Sequence, residues 1–128
     1  MPRLPRRAVL LSGLALAAGF AVPALAHHGW SWTQSGFFQI EGTITEIYYG
    51  NPHPVIEVDV EGTIWTVELA PPSASTAAGF TEETAAVGDE ITAIGNRSQD
   101  ENETRMKAVR IIVGGAVYDV YPDRAQNI

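Results

Sequence analysis

Histidine is the residue in this chain best suited to metal chemistry, and its three copies fall into two groups, His27-His28 and His53. Imidazole nitrogens are borderline ligands that suit copper and zinc, and divalent affinities peak at copper. A histidine at the first position of a mature chain would bind through its α-amine and its side chain together. With a third nitrogen from His53, this set would form the T-shaped copper site known as a histidine brace, and His28 is a candidate further ligand.

The first 26 residues have the layout of a cleaved export signal. Three arginines form a basic start, residues 8–22 carry no charge, and small residues at Ala24 and Ala26 precede a cleavage site. We therefore predict a signal peptide over residues 1–26 and a mature chain that begins at His27. The apolar run is shorter than the ~20 residues of a membrane-spanning helix, so no span is expected after cleavage. The protein is expected to be periplasmic or secreted, by the Sec or the twin-arginine route.

Acidic residues dominate the mature chain. All 15 lie after residue 26, and three of the eight basic residues belong to the signal, which leaves five against fifteen, a formal charge of −10. Nucleic acid is not an expected partner, because proteins bind polyanions through clustered Lys and Arg. The chain has no cysteine, so a metal site must use nitrogen and oxygen ligands. Residues 27–128 are enough for one domain and not for two.

Alternation of apolar and polar residues predicts a chain made mostly of strands. The expected strands cover residues 38–48, 56–60, 65–69, 90–95, 105–113 and 117–121. A bulge is expected at Thr45 or Glu46, where the phase of the first strand slips. A short helix is expected between Ser73 as its N-cap and Gly79 as its C′ residue, and residues 96–104 are expected to form a solvated loop. This order predicts an all-β fold, a small five- or six-stranded OB-like Greek-key barrel with one short helix. A small β-sandwich is the alternative.

The segment Asn51-Pro52-His53-Pro54 is expected to form a rigid corner after the first strand, because proline cannot donate to a strand ladder. Asn51 is expected to line the site, and it either caps this turn or orients His53. Tyr49 lies next to the corner and is expected to line the site.

The segment before the first strand must run back along the barrel if His27 is to reach His53. The first strand spans ~33 Å when extended, and about ten residues precede it. Trp30 and Trp32 could pack this arm on the barrel, with Trp30 lining the site, or they could be ordinary core or edge residues.

Carboxylates on neighbouring strands offer a second cluster. Glu57 and Asp59 alternate on one strand, with Glu68 on its partner, and together they could form a catalytic carboxylate pair. A solvated outer face of the sheet is the favoured interpretation of these residues.

These motifs, in this order, resemble an uncharacterised family of small exported bacterial proteins. Its members typically read Ala-His-His-Ser, Gly-x-Val, Asn-Pro-His and Gly-Asp. The corresponding segments here are Ala26-His27-His28-Gly29, Gly42-Thr43-Ile44, Asn51-Pro52-His53 and Gly88-Asp89. Gly29 replaces the usual Ser, and Pro54 replaces an apolar or aromatic residue. The resemblance implies the barrel architecture and the pairing of the histidine motifs, and it implies no particular activity.

The sequence therefore predicts an exported protein that binds a transition metal, copper above all, through His27 and His53, with His28 as a candidate ligand. One alternative is a metal-free OB-like binding module for a protein partner in the periplasm or for a small molecule. The other is a copper-dependent oxidase. An oxidase needs a substrate surface that the sequence does not identify, so a non-enzymatic role is the leading expectation.

Overall fold

The computed structural model describes residues 29–128. The predicted signal peptide of residues 1–26, His27 and His28 lie outside these described residues.

The described chain folds into a closed, mostly antiparallel barrel. Its elements are β1 (Phe38–Tyr48), β2 (Val55–Val60), β3 (Thr63–Glu68), α1 (Pro72–Ala77), β4 (Glu90–Arg97), β5 (Arg105–Val113), β6 (Ala116–Asp119) and α2 (Pro122–Ala125). The strand order is β3-β2-β1-β4-β5-β6, and a parallel pairing of β3 with β5 closes the first five strands into a barrel. With α1 between β3 and β4 in the chain, this is an OB-like fold, as predicted.

The bulge predicted in β1 is present. The register between β1 and β2 shifts between Ile44 and Glu46, so Thr45 is the extra residue. Ile40 and Ile44 are buried before the bulge, and after it the inward position passes to Ile47, which packs against the core. The extra residue lets one long strand bend around the barrel and pair with β2 and β4 along different parts of its length.

The helix α1 differs from the prediction at its start. It begins at Pro72, so Ser73 lies inside the helix and is not the N-cap, and no side chain caps the first turn. Proline suits this position because its missing N–H would have no partner within the helix. Gly79 has a φ of +91° and is the predicted C′ residue. Phe80, which follows it, is fully buried.

The predicted loop over residues 96–104 starts too early. β4 continues to Arg97, and Asn96 is buried because its side-chain amide donates to the carbonyls of Gln34 and Gly36. The segment before β1 thus lies against the end of β4. The tail also contains a second short helix, α2, where the sequence analysis predicts only one helix in the whole fold.

Gly95 offers a test of how closely β4 and β5 approach. It sits at the register shift of this strand pair, where a Cβ atom would collide with the carbonyl oxygen of Lys107. We expect Gly95→Ala to lower the free energy of unfolding by about 1–3 kcal/mol, measured by urea denaturation. Gly36→Ala is the control, since nothing lies within 4 Å of its Cβ position. Equal unfolding midpoints for the two variants would contradict this packing.

Candidate functional site

His53 lies in the corner between β1 and β2, beside the end of β3. Its side chain is 15% exposed, and its Nε2 is 3.1 Å from Oε1 of Glu68. Its Nδ1 lies 3.2 Å from the carbonyl oxygen of Pro54, to which an Nδ1–H can donate. The corner contains a cis peptide bond between Asn51 and Pro52, and the carbonyl of Asn51 accepts a hydrogen bond from the Tyr48 hydroxyl. The ring of His53 is therefore held at both nitrogens.

Glu68 joins His53 to the seam that closes the barrel. Its second carboxylate oxygen lies 2.6 Å from Nε of Arg105, and its backbone pairs with Lys107 across the parallel β3–β5 contact. The neighbours Val67 and Met106 are buried in the core, so Glu68 and Lys107 point to the outer face of the barrel. Both are nevertheless buried, at 5% and 4% exposure. The interpretation of Glu68 as part of a solvated face was therefore wrong.

The segment before β1 covers this outer face. Nζ of Lys107 donates to the carbonyl of Gly29 at 3.1 Å and lies 4.5 Å from the centroid of the Trp30 ring. The guanidinium carbon of Arg105 lies 4.3 Å from the centroid of the Trp32 ring. Residues 29–37, which we call the arm, thus run along the barrel to the β3–β5 seam. Trp30 and Trp32 fasten the arm there through contacts with cations.

Gln99 anchors the middle of the arm. Its backbone N–H donates to the carbonyl of Trp32 at 2.9 Å, and its side-chain amide donates to the carbonyls of Ser31 and Thr33. The arm is therefore held by the β4–β5 loop as well as by the cationic side chains of β5.

Tyr49 and Asn51, predicted to line the site, take other roles in the described contacts. The Tyr49 hydroxyl donates to the carbonyl of Phe80 at 2.6 Å, and the two rings stack with centroids 6.3 Å apart. Asn51 is exposed, and its backbone carbonyl ties the corner to Tyr48. A role for either residue in binding stays a prediction. Trp30, by contrast, lies against Lys107, the strand neighbour of Glu68.

The charges of this cluster shift one another's protonation. The hydrogen bond to Glu68 raises the pKa of His53, although burial acts in the opposite direction. Burial acts to raise the pKa of Glu68, but the hydrogen bonds from His53 and Arg105 outweigh it and hold that pKa below its usual value. Burial lowers the pKa of Lys107. His53 and Glu68 therefore favour the charged pair, an imidazolium beside a carboxylate.

The contacts at the two ring nitrogens of His53 also affect metal binding. When Nδ1–H of a neutral His53 donates to Pro54, the lone pair of Nε2 faces a carboxylate oxygen of Glu68 at 3.1 Å. Two electron-pair donors at this distance repel each other unless a positive centre lies between them or beside both. A proton on Nε2 meets this need, and so does a metal ion bound by both atoms.

The described residues do not complete a metal site. Within residues 29–128, no three side chains of the His, Asp or Glu type converge in a way that could hold a metal ion. His53 and Glu68 supply two donors, and Arg105 and Lys107 place two positive charges nearby, which disfavours a further cation. A metal ion at His53 would therefore need ligands other than the side chains of the described residues.

The sequence analysis misses Arg105 and Lys107, and it groups Glu68 with Glu57 and Asp59 and not with His53. The available signal was weak. Arg105 and Lys107 alternate with apolar residues in β5, which marks only an outward direction. Nothing in that alternation distinguishes a solvated charge from one that the arm covers.

Comparisons with known proteins give a family and a fold. A family described as "Family of unknown function (DUF6152)" matches residues 15–107. The comparison with curated proteins gives no match. Among solved structures, 71% of this chain aligns with 63% of a chain in the crystal structure of the S. pombe Stn1-ten1 complex, at 16% identity and a TM-score of 0.51. At this identity the likeness supports the barrel fold alone.

Two structures of TiaS align less well. One, a complex with a transfer RNA, AMPCPP and agmatine, has a TM-score of 0.47 at 14% identity, over 60% of this chain and 18% of the other. The other, a ZRD-deleted mutant with agmatine, has a TM-score of 0.48 at 14% identity, over 66% and 26%. The chain thus spans less than two thirds of each of these three neighbours. Among the described residues, no helix is long and apolar enough to cross a membrane.

The His53–Glu68 pair predicts a pH dependence of stability. Since the pKa of His53 is raised above 6.5, its contribution is complete below that pH and is lost as the pH rises through the folded-state pKa. The pKa of Glu68 is lowered below 4.5, so its contribution is complete above that pH and is lost as the pH falls further. The pair therefore stabilises the fold most between pH 4.5 and pH 6.5, the ordinary pKa values of the glutamate and the histidine.

We expect His53→Gln to cost about 1.5–3 kcal/mol at about pH 5.5 and clearly less at about pH 9, in urea unfolding of metal-free protein. Glu83→Gln, which removes an exposed carboxylate, is the matched control and should show no such trend. A cost of His53→Gln that is larger at the higher pH would contradict the charged pair.

Proposed function

This chain belongs to the DUF6152 family of unknown function, and we propose from the site itself that it is an exported protein that binds a transition metal, copper above all. The proposed ligands are the α-amine and imidazole of His27 after signal cleavage, together with Nε2 of His53. His28 is a candidate additional ligand. The proposed role is to bind, carry or sense copper in the periplasm.

The observation that carries this proposal is the path of the arm. Lys107 holds the carbonyl of Gly29, and Lys107 pairs across the seam with Glu68, whose carboxylate contacts His53. His27 precedes Gly29 by two residues, a stretch that spans at most about 7 Å. The direction of the arm therefore supports a meeting of the processed terminus with His53, as a histidine brace requires.

The orientation of His53 also suits a metal ligand. A hydrogen bond from Nδ1–H to the carbonyl of Pro54 leaves Nε2 as the donor atom, and metal-binding histidines commonly make such a bond through their other nitrogen. Oε1 of Glu68 lies beside that donor and would offset part of the metal's charge, while Arg105 holds the other oxygen.

Metal and proton compete for His53 in this proposal. Copper binds the neutral ring, so the ion replaces the proton that otherwise lies between Nε2 and Glu68. This exchange limits the rise in positive charge beside Arg105 and Lys107. It also means that copper affinity falls as the pH is lowered.

One observation favours a second candidate function, a metal-free binding module. The cluster lies between the β1–β2 corner and the start of β5, beside the face of β2 and β3 where OB-type barrels take their ligands. In that case the charged cluster would support a surface for a protein or small-molecule partner.

A copper titration separates the two candidates. Intact mass of the exported protein first establishes whether it begins at His27. We then expect a Cu(II) spectrum with couplings to several nitrogens, because three ligand nitrogens are proposed. Both His53→Ala and a single residue added before His27 are expected to weaken copper binding more than about tenfold, since each removes a ligand or alters the terminal amine.

Glu61→Gln is the control for this titration. Glu61 is exposed in the turn between β2 and β3, at the opposite end of the hairpin from His53, and its replacement removes one negative charge. Copper affinity is expected to stay at the wild-type value. If wild type, His53→Ala and the extended protein bind copper equally, the brace is refuted, and if none binds copper, the metal-free module is favoured.

A further inference from the structure

Trp30 is held by cationic side chains from two separate parts of the chain. Lys107 on β5 approaches the ring with its ammonium, and the guanidinium carbon of Arg124 on α2 lies 3.7 Å from the ring centroid. The ring of Tyr121 packs edge-on against Trp30, with centroids 4.9 Å apart. A residue of the arm is thus enclosed by β5 and by the end of the described chain.

We propose that Lys107 and Arg124 form a clamp on Trp30 that positions the N-terminal residues for metal binding, so that the C-terminal segment governs the metal site. The positioning role rests on the proposed function above. The clamp itself rests on contacts among described residues and can be tested without metal.

The burial of Lys107 gives the clamp much of its strength. The side chain is 4% exposed, and its charge is balanced by the carbonyl of Gly29, the rings of Trp30 and Tyr121, and the nearby charge of Glu68. Release of the arm would remove two of these partners from Lys107. Arg124 is exposed, so its contact with Trp30 contributes less.

The clamp acts on a short stretch of chain. Gln99 holds the carbonyls of Ser31, Trp32 and Thr33, so the arm is fixed from Ser31 onward without the clamp. Among the described residues, Gly29 and the side chain of Trp30 lie beyond that anchor, while the carbonyl of Trp30 accepts from the N–H and the hydroxyl of Thr33. Opening of the clamp would therefore free the N-terminal residues and leave the barrel intact, which distinguishes a positioning role from a structural one.

The C-terminal segment can transmit this effect because it is attached to the barrel. Val120 and Ala125 are buried on either side of the segment that carries Tyr121 and Arg124, and the N–H of Tyr121 is directed at the carbonyl of Val109 in β5. Arg124 is therefore presented to Trp30 from a fixed position.

The test compares Arg124→Ala and Lys107→Met in metal-free and copper-loaded protein. In metal-free protein, the population with the arm released is read from proton NMR contacts between the rings of Trp30 and Tyr121. We expect this population to rise about two- to fivefold in Arg124→Ala and about 30-fold in Lys107→Met, in line with exposed and desolvated cation–π contacts. Copper affinity is expected to fall by the factor by which the docked population falls, because only the docked arm presents the N-terminal residues, and fewer nitrogen couplings are expected in the Cu(II) spectrum.

Two controls separate the clamp from general destabilisation. Arg124→Lys keeps a cation over Trp30 and is expected to recover most of the docking and most of the copper affinity. Asp123→Ala changes an exposed neighbour on α2 and is expected to change neither the docking of the arm nor the copper affinity. The urea midpoint of Arg124→Ala is expected to match that of Asp123→Ala, because the barrel does not depend on this contact. Arg124→Ala and its two controls therefore test the clamp even if Lys107→Met fails to fold.

The outcomes distinguish the clamp from the proposed function. Unchanged Trp30–Tyr121 contacts in Arg124→Ala would overturn the clamp whether or not copper binds. A released arm with unchanged copper affinity would overturn its positioning role and leave copper binding in place. A wild-type protein that binds no copper would overturn the proposed function and the positioning role together, and the NMR measurement would still decide whether the clamp exists.

Discussion

The parallel pairing of β3 with β5 is the contact on which the rest of this structure depends. It closes five strands into a barrel, and it also places Glu68 beside Lys107, residues that are far apart in the chain. Because Val67 and Met106 take the inward positions at the same register, the two charged side chains must share the outer face. The charged cluster is thus a consequence of how the barrel closes.

Charges buried on an outer face need partners, and this need explains the arrangement around the seam. Glu68 accepts from Arg105 and contacts His53, while Lys107 donates to Gly29 and lies against Trp30. The arm therefore both buries these groups and supplies some of the groups that balance them. The same contacts place Gly29, the first described residue, beside Lys107, the cross-strand partner of Glu68, and this position is the basis of the role proposed for the N-terminal histidines.

Alternation along the strands predicted the barrel and a bulge at Thr45 or Glu46, and the glycine after α1 predicted the C′ residue Gly79, because each has a local cause in the chain. Predictions that depended on distant partners were less accurate. Asn96 was assigned to a solvated loop, yet it is buried because the arm offers it two carbonyls. Ser73 is predicted as an N-cap, but Pro71 takes that position and Pro72 the first helical one, so the helix begins two residues earlier.

For the candidate site, residue type and order were sufficient to single out His53 and its proline corner, and to predict a segment before β1 that returns along the barrel. They were not sufficient to find Arg105 or Lys107, or to place Glu68 beside His53. The two-residue repeat of apolar and polar residues along a strand indicates which side of the sheet each residue faces. Burial on that side depends on what else packs there. Here the cover comes from the arm and from the C-terminal segment, which meet at Trp30 in the folded chain. The environment of these charges is therefore a property of the folded chain, because it is created by contacts between segments that lie far apart in the sequence.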